Sequence, residues 1–552
     1  MKEIKIALCQ QRFSVGNLEK NYNKILKIRK YCSDHGVDIC IFSELCISGY
    51  PPEDLILKPA FIRANQEIVD KLVKNSNTDD PAIIVGYPRE GDNKKIYNSG
   101  AIINDGKCFI VDKFHLPNYG VFDEARVFSF EKMSGPISVK GLKIGLMICE
   151  DMWFSDVSES LLESGADILV TINGSPYDQN KEDERLSEAV SRVTETSLPL
   201  IYVNQVGGQD ELVFDGTSFI LDASSNLCGQ SPSWEEDISI NKLQFDEDGI
   251  NKISKSKLYT ISSGVEAKYQ AMIMGLSEYV KKNSFKGVVL GLSGGIDSAL
   301  SAAIAVDALG KKNVRGIRMP SNISSKGSLR EAGESARLLN IQLETIDISG
   351  LVESYEKHLE NIFSNTNKGI TEENIQSRIR GVLLMAVSNK FGEMLLSTGN
   401  KSEISVGYTT IYGDMNGGFN VLKDAYKTDV YALAKWRNKN FYKNFKGPNG
   451  IVVPIKSLTK PPSAELSLNQ KDQDNLPPYG LLDEILKMLI EEEKSLDDVV
   501  KSGYDYELVK KIYRLILFSE YKRRQSPPGV KLTGRSFGKE RRYPITNAFF
   551  EK

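Results

Sequence analysis

The sequence predicts an α/β protein with two large domains. Three observations carry this prediction. The 552 residues exceed what one hydrophobic core normally supports, short apolar runs alternate with helical patterns, and a polar, irregular stretch separates two such regions. Hydrophobic residues make up 41% of the chain and charged residues 26%, which is typical of globular proteins. We therefore expect domains at residues 1–250 and 266–552, joined by a linker at 251–265.

The first region begins with a strand, in which Ile4, Ile6 and Leu8 alternate with polar or small residues. A helix is predicted over residues 18–34, where apolar residues recur at helical spacing until Gly36 ends the pattern. Further apolar runs predict strands at residues 38–43, 82–87, 99–103, 144–149, 167–172 and 199–204. Residues 229–265 are polar, and we expect them to be irregular.

The second region has the rhythm of a doubly wound parallel sheet, in which each strand is followed by a helix. The predicted elements are helix 266–283, strand 287–291, helix 298–309, strand 314–319, helix 327–339 and strand 343–348. Such a sheet binds its ligands at the carboxyl ends of its strands.

Charge and composition exclude several classes of function. The net charge of -3 gives no electrostatic reason to bind nucleic acid or an anionic membrane. No apolar stretch approaches the roughly 20 residues that cross a bilayer, and the first residues lack the layout of a signal peptide. Seven cysteines without a CxxC pair favour a reducing cytoplasm and argue against a zinc site. Only three histidines are available for chemistry.

The most informative segment is VVLGLSGGIDSAL at residues 288–300. A strand leads into a turn of glycines and serines, and a helix follows at once. Backbone N–H groups and the helix dipole make such a turn a seat for phosphate. Asp297 does not suit a bare phosphate, so we expect it to hold the Mg²⁺ that accompanies one. The Lys-Ser/Thr ending of a Walker A loop is absent, which disfavours a kinase-type loop.

Three chemically suitable residues stand where apolar runs end, namely Glu44, Lys113 and Cys149. Because strand ends in an α/β fold share one edge of the sheet, the three side chains can meet. Glu44 would accept the thiol proton, and Lys113 would stabilise the oxyanion. The residues alone leave alternatives open: a cysteine at a strand end is often a buried apolar residue, and Glu44 and Lys113 fit surface ion pairs. A Cys–His hydrolase using His115 is a further alternative, although the sequence marks no third group that orients this histidine.

The blocks FSELCISGYPPEDL, KFHLPNYGVFDEARVF, ICEDMWF and NGSPYDQNKEDER resemble the nitrilase superfamily, in the order in which that superfamily carries them. The resemblance implies an α-β-β-α sandwich and an amidase that works through a thioester. It implies Glu44 as proton acceptor, Lys113 as stabilising cation, Cys149 as nucleophile and Glu124 as an assistant to the attacking water. It also implies that Tyr119, Ser175 and Lys181 bind the amino-acid end of L-glutamine.

The loop SGGIDS resembles the pyrophosphate loop of N-type ATP pyrophosphatases, whose fold is that of adenine nucleotide α-hydrolases. Glycines set among polar residues in 397–418 favour a ligand wall. With TGNKSE, YGDMNGGF, PPSAEL, DNLPPYGLLD and RRYPITN, these segments resemble the glutamine-dependent NAD⁺ synthetase family. The resemblance implies an ATP site formed by Gly291, Leu292, Ser293, Gly294, Gly295, Ile296, Asp297, Ser298, Arg318 and Thr398. It implies a deamido-NAD⁺ site formed by Asn374, Glu403, Asp414, Lys423 and Lys531, and Mg²⁺ at Asp297 and Glu403.

The family resemblance implies a carbon–nitrogen ligase that forms an adenylate with ATP and amidates it with ammonia from glutamine. It also implies an ammonia tunnel, and we expect a homo-oligomer that keeps the two domains in register. Three alternatives stay open at this point. The chain could aminate another adenylated acceptor, as GMP and asparagine synthetases do; it could be an amidase fused to a nucleotide-binding regulatory module; or its glutaminase half could be inactive.

Overall fold

The computed structural model describes residues 2–179, 181–246, 249–463, 465–467 and 470–551, without the side chain of Glu182. The chain forms two compact units. The first comprises residues 1–209 and 213–262, and the second comprises residues 210–212 and 263–552. Within the described residues, no helix combines the length and apolar character needed to span a membrane.

Besides a small sheet of two strands, β10 and β11, the first unit contains two large sheets. One has seven strands in the order β15-β14-β1-β2-β3-β4-β5, and the other has six in the order β13-β12-β9-β8-β7-β6. The strands are β1 (Lys2–Gln10), β2 (Ile39–Ile41), β3 (Ala82–Glu90), β4 (Ile96–Asn104), β5 (Lys107–Asp112), β6 (Ile137–Val139), β7 (Leu142–Ile148), β8 (Ile168–Asn173), β9 (Leu200–Asn204), β10 (Val206–Gln209), β11 (Leu212–Asp215), β12 (Phe219–Leu221), β13 (Leu227–Gln230), β14 (Asp237–Asp246) and β15 (Gly249–Ile253). The helices are α1 (Leu18–Asp34), α2 (Pro59–Lys74), α3 (Ser155–Glu163) and α4 (Lys181–Thr196).

The alternation predicted for β1 determines which layer each of its residues faces. Ile6 and Leu8 belong to the apolar core shared by the two sheets, whereas Ala7 and Cys9 belong to the core beneath α1 and α2. Helices α3 and α4 cover the outer face of the second sheet. The predicted α-β-β-α sandwich is therefore confirmed.

The second unit contains a five-stranded parallel sheet in the order β18-β17-β16-β19-β20. Its strands are β16 (Val288–Gly291), β17 (Val314–Arg318), β18 (Gln342–Thr345), β19 (Met394–Ser397) and β20 (Phe419–Asn420). Its helices are α5 (Gly264–Lys282), α6 (Ile296–Leu309), α7 (Lys326–Leu339), α8 (Ser349–Leu359), α9 (Ile370–Phe391), α10 (Lys401–Val406), α11 (Lys427–Lys439), α12 (Ile455–Thr459), α13 (Tyr479–Ile490), α14 (Leu496–Lys501), α15 (Tyr506–Phe518) and α16 (Glu520–Arg523). The predicted doubly wound parallel sheet is confirmed.

The strand order reverses at β16, because the chain adds β17 and β18 on one side and β19 and β20 on the other. In a doubly wound sheet, this reversal opens a crevice at the carboxyl end of the central strand. The glycine-rich turn that follows β16 lies at this end. Helices α13, α14 and α15 form a separate apolar cluster with Ile404 and Val406 of α10.

The structure departs from the sequence predictions at residues 229–265. This polar stretch contains β14 and β15, and β14 pairs antiparallel with the whole of β1. The expectation that it is irregular is therefore wrong for these strands. The predicted linker at 251–265 overlaps β15, which ends only at Ile253, and α5 begins at Gly264. Elsewhere the predicted boundaries differ by a few residues; strand 343–348, for example, is observed as Gln342–Thr345.

Candidate functional site

Glu44 follows β2 and is completely buried. Its Oε1 atom accepts hydrogen bonds from Asn98 Nδ2 and from Lys113 Nζ, each at 2.8 Å. Its Oε2 atom accepts a bond of 2.8 Å from the backbone N–H of Gly174. A Cβ atom at position 174 would lie 2.8 Å from the ring of Tyr50. Because glycine has no Cβ atom, the backbone at this position can pack directly against that ring. The carboxylate is thus fixed by three donors.

Lys113 follows β5, and its ammonium group lies between two carboxylates. Its Nζ atom donates to Glu44 at 2.8 Å and to Oε1 of Glu124 at 3.0 Å. Burial acts to lower the pKa of Lys113, but Glu124 and Glu44 outweigh it and hold the pKa well above its ordinary value. Burial raises the pKa of Glu124 to about 7, although Lys113 opposes this shift. The cluster therefore contains a permanent cation and a carboxyl group that titrates near neutrality.

Cys149 follows β7 and opens a short 3₁₀ turn, Cys149–Trp153. Its φ of +51° is left-handed, a strained conformation that non-glycine residues adopt mainly at functional sites. The residue is buried, and burial together with Glu44 raises the pKa of its thiol well above the ordinary range, while Lys113 opposes the shift. A thiol of this kind is protonated at neutral pH and needs a base before it can attack.

Asp151 ties this turn to the segment that carries Lys113. Its Oδ1 atom accepts bonds from the backbone N–H groups of Phe114 and His115, at 3.1 and 2.8 Å. Its Oδ2 atom accepts from the N–H of Ile148 at 3.0 Å. Sequence reasoning did not select Asp151, although it stands two residues after the cysteine. A carboxylate so close to a candidate nucleophile is the signal that would have found it.

His115, the alternative base, faces a different partner. Its Nε2 atom lies 2.8 Å from Oδ1 of Asp156, and its ring stacks on Phe154 with centroids 4.1 Å apart. Asp156 is therefore a group that orients His115 and that the sequence did not mark. Lys113 lies between Glu44 and Glu124, and Glu44, not His115, is the charged group with the strongest effect on the Cys149 thiol, so Glu44 stays the expected base.

The three residues expected to bind glutamine have definite partners. The hydroxyl of Tyr119 donates to Glu150 at 2.9 Å, and the Lys181 ammonium lies 5.0 Å from the centre of the Phe122 ring. The Ser175 hydroxyl accepts a bond of 3.0 Å from Nε of Arg185. Sequence reasoning missed Glu150 and Arg185.

Arg185 is buried and holds the segment that carries Ser175. Its guanidinium donates to the carbonyls of Ser175 and Pro176 at 3.0 and 2.7 Å, and it pairs with Asp215 at 2.8 Å. Because a buried guanidinium without a carboxylate is costly, the Asp215 pair fixes the arginine in this position. Its position among the many charged residues of α4 gave no signal in the sequence.

In the second unit, the turn after β16 lines a cavity of about 290 Å³. Gly294 has a φ of +86°, and a Cβ atom there would lie 2.2 Å from the carbonyl oxygen of Ser328. Only glycine fits this position. The hydroxyls of Ser293 and Ser298 lie 3.1 Å apart, and α6 begins at Ile296. Backbone N–H groups at the start of this helix give the cavity one wall suited to an anion.

Two carboxylates in the cavity wall share one lysine. Lys427 Nζ lies 2.6 Å from Oδ2 of Asp297 and 3.0 Å from Oε1 of Glu403. Asn400 connects the same two residues, since its Nδ2 donates to Asp297 at 2.9 Å and its Oδ1 accepts from the N–H of Glu403 at 3.0 Å. Burial raises the pKa of Glu403 to about 7 while Lys427 opposes the shift. Asp297 and Glu403 are thus held side by side.

This pair fits the expected Mg²⁺. The ion prefers hard oxygen donors and is usually bound by one or two carboxylates together with substrate phosphates. The two oxygens bonded to Lys427 are at most about 5.6 Å apart, and the one on Asp297 belongs to the first turn of α6, directly after the glycine-rich turn. The donor chemistry and the position beside the turn both suit a magnesium ion that accompanies a nucleotide.

The structure brings together most of the other residues expected in this site. The cavity wall contains the whole predicted ATP set, Gly291 through Ser298 with Arg318 and Thr398, and also Glu403 and Asp414. Arg318 donates at 2.8 Å to the carbonyl of Leu329.

Three of the expected residues are not among those described as lining the cavity. Asn374 accepts a bond from Thr410 at 2.8 Å. Lys423 pairs at 2.7 Å with Glu211, which belongs to the second unit, and Lys531 donates at 2.7 Å to the carbonyl of Thr533. Of the lining residues that sequence reasoning missed, the charged ones are Lys427, Arg380, Lys460, Glu465 and Asp472.

Comparison with known proteins agrees with both sites. Residues 5–247 match the carbon-nitrogen hydrolase family and residues 268–526 match the NAD synthase family. The chain is 44% identical over 544 residues to a glutamine-dependent NAD(+) synthetase of Rhodobacter capsulatus, covering 98% of each chain. It is 40% identical to one of Acinetobacter baylyi, covering 100% of this chain and 99% of the relative.

A solved structure of the Acinetobacter baumannii glutamine-dependent NAD+ synthetase in complex with adenosine diphosphate superposes with a TM-score of 0.79. It is 39% identical, and the alignment covers 99% of this chain and 98% of that one. The chain matches both family models, and it matches these relatives along almost their full length. The two matches account for the two candidate sites described above. The chain therefore belongs to the glutamine-dependent NAD(+) synthetase family.

Proposed function

We propose that this chain makes NAD⁺ from deamido-NAD⁺, with ATP as energy source and L-glutamine as nitrogen donor. The observation that carries the proposal is the cavity of the second unit, whose wall combines residues 291–298, including the carboxylate of Asp297, with the carboxylate of Glu403. In our proposal residues 1–250 hydrolyse glutamine and residues 266–552 carry out the synthesis.

Hydrolysis of glutamine starts at Cys149. Glu44 accepts the thiol proton, and the sulfur attacks the side-chain amide carbon, forming a tetrahedral intermediate. Lys113 stabilises the negative charge of this intermediate, and Glu44 returns the proton to the nitrogen as ammonia leaves. Glu124 assists the water that then hydrolyses the thioester to glutamate. Tyr119, Ser175 and Lys181 hold the amino-acid end of the substrate.

Synthesis takes place in two steps. The backbone N–H groups of the turn, with Ser293 and Ser298, bind the phosphates of ATP, and the carboxylate of the nicotinate ring attacks the α-phosphorus. Pyrophosphate leaves, and ammonia then displaces AMP from the acyl-adenylate to give the amide. A magnesium ion held by Asp297 and Glu403 would supply positive charge for the departing pyrophosphate.

The remaining sequence predictions become proposals of different weight. Thr398, Arg318 and Asp414 face the cavity, so we propose that Thr398 and Arg318 contact ATP and Asp414 contacts deamido-NAD⁺. Asn374, Lys423 and Lys531 would need to change partners before they contact that ligand. We also propose that the chain works as a homo-oligomer in the cytoplasm, which sedimentation and fractionation would test.

A comparison of nitrogen donors and acceptors tests the proposed reaction. Purified protein is supplied with ATP and either glutamine or ammonium, and AMP, glutamate and amide product are counted for deamido-NAD⁺, xanthosine monophosphate and aspartate. We expect one AMP for each NAD⁺, and product only from deamido-NAD⁺. Equal or better turnover of another acceptor would replace the proposed substrate. Nucleotide binding without formation of AMP or pyrophosphate would favour a regulatory module.

A further inference from the structure

Three cysteines of the first unit meet in the layer between α1 and the seven-stranded sheet. Cys9 lies on β1, Cys40 on the neighbouring strand β2, and Cys32 in the last turn of α1. All three side chains are completely buried in one apolar cluster. None of them belongs to the glutaminase constellation described above, so their proximity needs its own explanation.

The three sulfur atoms all lie within 4.8 Å of one another. Three sulfurs bound to one ion at about 2.3 Å in a trigonal plane would be about 4 Å apart. Sulfurs at the corners of a triangle with 4.8 Å sides are about 2.8 Å from its centre, so each would move inward by only about 0.5 Å. A side-chain rotation of that size requires no change in the backbone.

The ligand set selects the class of ion. Among the described residues, no histidine or carboxylate joins the three sulfurs within the same 4.8 Å, so the tetrahedral geometry that structural zinc requires lacks a fourth protein ligand. Soft thiolate ligands favour copper(I) among the common metal ions, and copper(I) accepts three-coordinate sites. The absence of a CxxC pair argues against zinc and is compatible with such a three-sulfur site.

A disulfide does not explain Cys9 and Cys40. On the parallel strands β1 and β2, Cys40 is opposite Ala7, so Cys9 is displaced by two residues. With strands about 4.8 Å apart and a rise of about 3.3 Å per residue, their Cα atoms are about 8 Å apart, beyond the roughly 7 Å that a disulfide can bridge. An ion can join these sulfurs where a direct bond cannot.

A buried cation accompanies the cluster. Arg29 stands one turn before Cys32 on α1, so both side chains are on the same face of the helix, and Arg29 is 4% exposed. Its guanidinium donates to the carbonyls of Pro81 and Asn75, at 2.9 and 3.1 Å, and the Asp80 carboxylate is 3.6 Å away. This positive charge offsets part of the negative charge that bound thiolates would carry.

We propose that Cys9, Cys32 and Cys40 bind one soft d¹⁰ cation, of the copper(I) class, through three sulfur atoms. The ion displaces the thiol protons to solvent, and no electron is transferred. The site is independent of the proposed synthetase activity, so neither proposal stands or falls with the other.

Metal retention tests the site. The full chain carrying Cys149→Ala, which removes the catalytic thiol as a ligand, is produced in copper-supplemented medium, so that the ion is present before α1 packs. After anaerobic purification and exposure to a copper(I) chelator, we expect about one copper per chain. Adding Cys32→Ser or Cys9→Ser should lower the retained copper at least about tenfold. Cys46→Ser is the matched control, because Cys46 is equally buried in the same cluster, and it should retain the ion.

X-ray absorption on the Cys149→Ala chain without further substitutions provides a test that does not depend on the folding of the Cys9 or Cys32 variants. We expect a shell of three sulfurs at about 2.3 Å. The proposal is overturned if the Cys149→Ala chain retains no copper or if the shell contains fewer than three sulfurs. It is also overturned if the chain with Cys32→Ser retains as much copper as the chain with Cys46→Ser.

Discussion

The Nζ atom of Lys113 lies 2.8 Å from Oε1 of Glu44, and both side chains are completely inaccessible to solvent. A buried charge is costly unless an opposite charge pairs with it, and Lys113 also forms an ion pair with Glu124. The arrangement that satisfies the electrostatics of the folded state therefore also places the expected base and the expected stabilising cation within electrostatic range of Cys149. In the proposed mechanism, one lysine therefore has both a structural and a catalytic role.

Replacing Lys113 by methionine should harm both roles. Two carboxylates would remain buried without a counter-ion, so we expect the free energy of unfolding of the first unit to fall by about 3–5 kcal/mol. Glutamate formation should fall by at least about 100-fold, because the developing oxyanion loses its stabilising charge. Denaturant unfolding and a glutaminase assay measure the two effects. Lys30→Met is the control, since the Lys30–Asp34 pair is exposed and its loss should cost about 0.5 kcal/mol. Normal hydrolysis in Lys113→Met would contradict the proposed role.

Cys149→Ala should separate the two nitrogen sources. Without the nucleophile, NAD⁺ formation from glutamine should fall to background, while formation from ammonium should continue at close to the parent rate. Cys108→Ala, which changes a thiol outside the site, should preserve both reactions. Loss of both reactions in Cys149→Ala, in a protein that still folds, would argue against the division of work between the two units.

Glu124 should give glutamine hydrolysis a pH dependence near neutrality. Burial raises the pKa of this carboxyl group to about 7. It is therefore mostly protonated below pH 7 and ionised above it, and only the ionised form can accept a proton from water. We expect the steady-state rate of glutamate formation to rise with pH through about 7. Glu124→Gln should lower the rate by about 100-fold or more and remove this rise. A variant that keeps the parent's pH profile would exclude Glu124 as the titrating group.

The raised pKa of Glu124 should also change the stability of the fold with pH, in the direction opposite to its effect on activity. Because the pKa of Glu124 is higher in the folded than in the unfolded chain, the folded state binds more protons between pH 4.5 and about 7. The contribution of this group to the free energy of unfolding therefore decreases as the pH rises through that window. Activity and stability are expected to change in opposite directions.

Much of the fold could be predicted from local pattern. The alternation at Ile4, Ile6 and Leu8 indicated β1, and helical spacing gave both ends of α1. Strand β14 was missed for a physical reason. Its first half directs Ile238 and Ile240 towards the helix layer, whereas its second half directs Leu243 and Phe245 towards the other sheet. Neither face therefore shows an apolar alternation long enough to recognise.

The sequence predicted those site residues that a local pattern marks, and it missed those that only the tertiary structure brings into the site. The strand-end argument anticipated the contact between Glu44 and Lys113, because β2 and β5 run in the same direction after two antiparallel steps. It did not identify Lys427, which reaches Asp297 across 130 residues of sequence. Lys423 and Lys427 occupy one polar block, and only the tertiary structure distinguishes them.

Gly294→Ala tests the turn after β16. The left-handed backbone would cost about 1–3 kcal/mol, and the new methyl group would lie 2.2 Å from the Ser328 carbonyl oxygen. We expect the dissociation constant for ATP, measured by calorimetry, to rise by about tenfold or more. Gly350→Ala is the control, because a methyl group at this position of α8 would meet open space, and the variant should bind ATP normally. Unchanged binding by Gly294→Ala would mean that the turn does not hold the phosphates.

Two lysines four residues apart, Lys427 and Lys423, should behave differently when each is replaced by methionine. Lys427→Met should leave Asp297 and Glu403 without their shared cation, and since Lys427 opposes the raised pKa of Glu403, that carboxyl group should become harder to ionise. NAD⁺ formation with ammonium should then fall by about 100-fold or more, and Lys427→Arg should restore part of it because the charge is kept.

Lys423→Met provides the contrast, because Lys423 pairs with Glu211 and is not among the described residues of the cavity wall. Its rate should stay within about threefold of the parent rate, as expected for a residue outside the reacting groups. The measurement is the initial rate of NAD⁺ formation at saturating ammonium, where the glutaminase half plays no part. A larger loss in Lys423→Met than in Lys427→Met would reverse the assignment, because it would mean that Lys423 leaves Glu211 to reach the substrate.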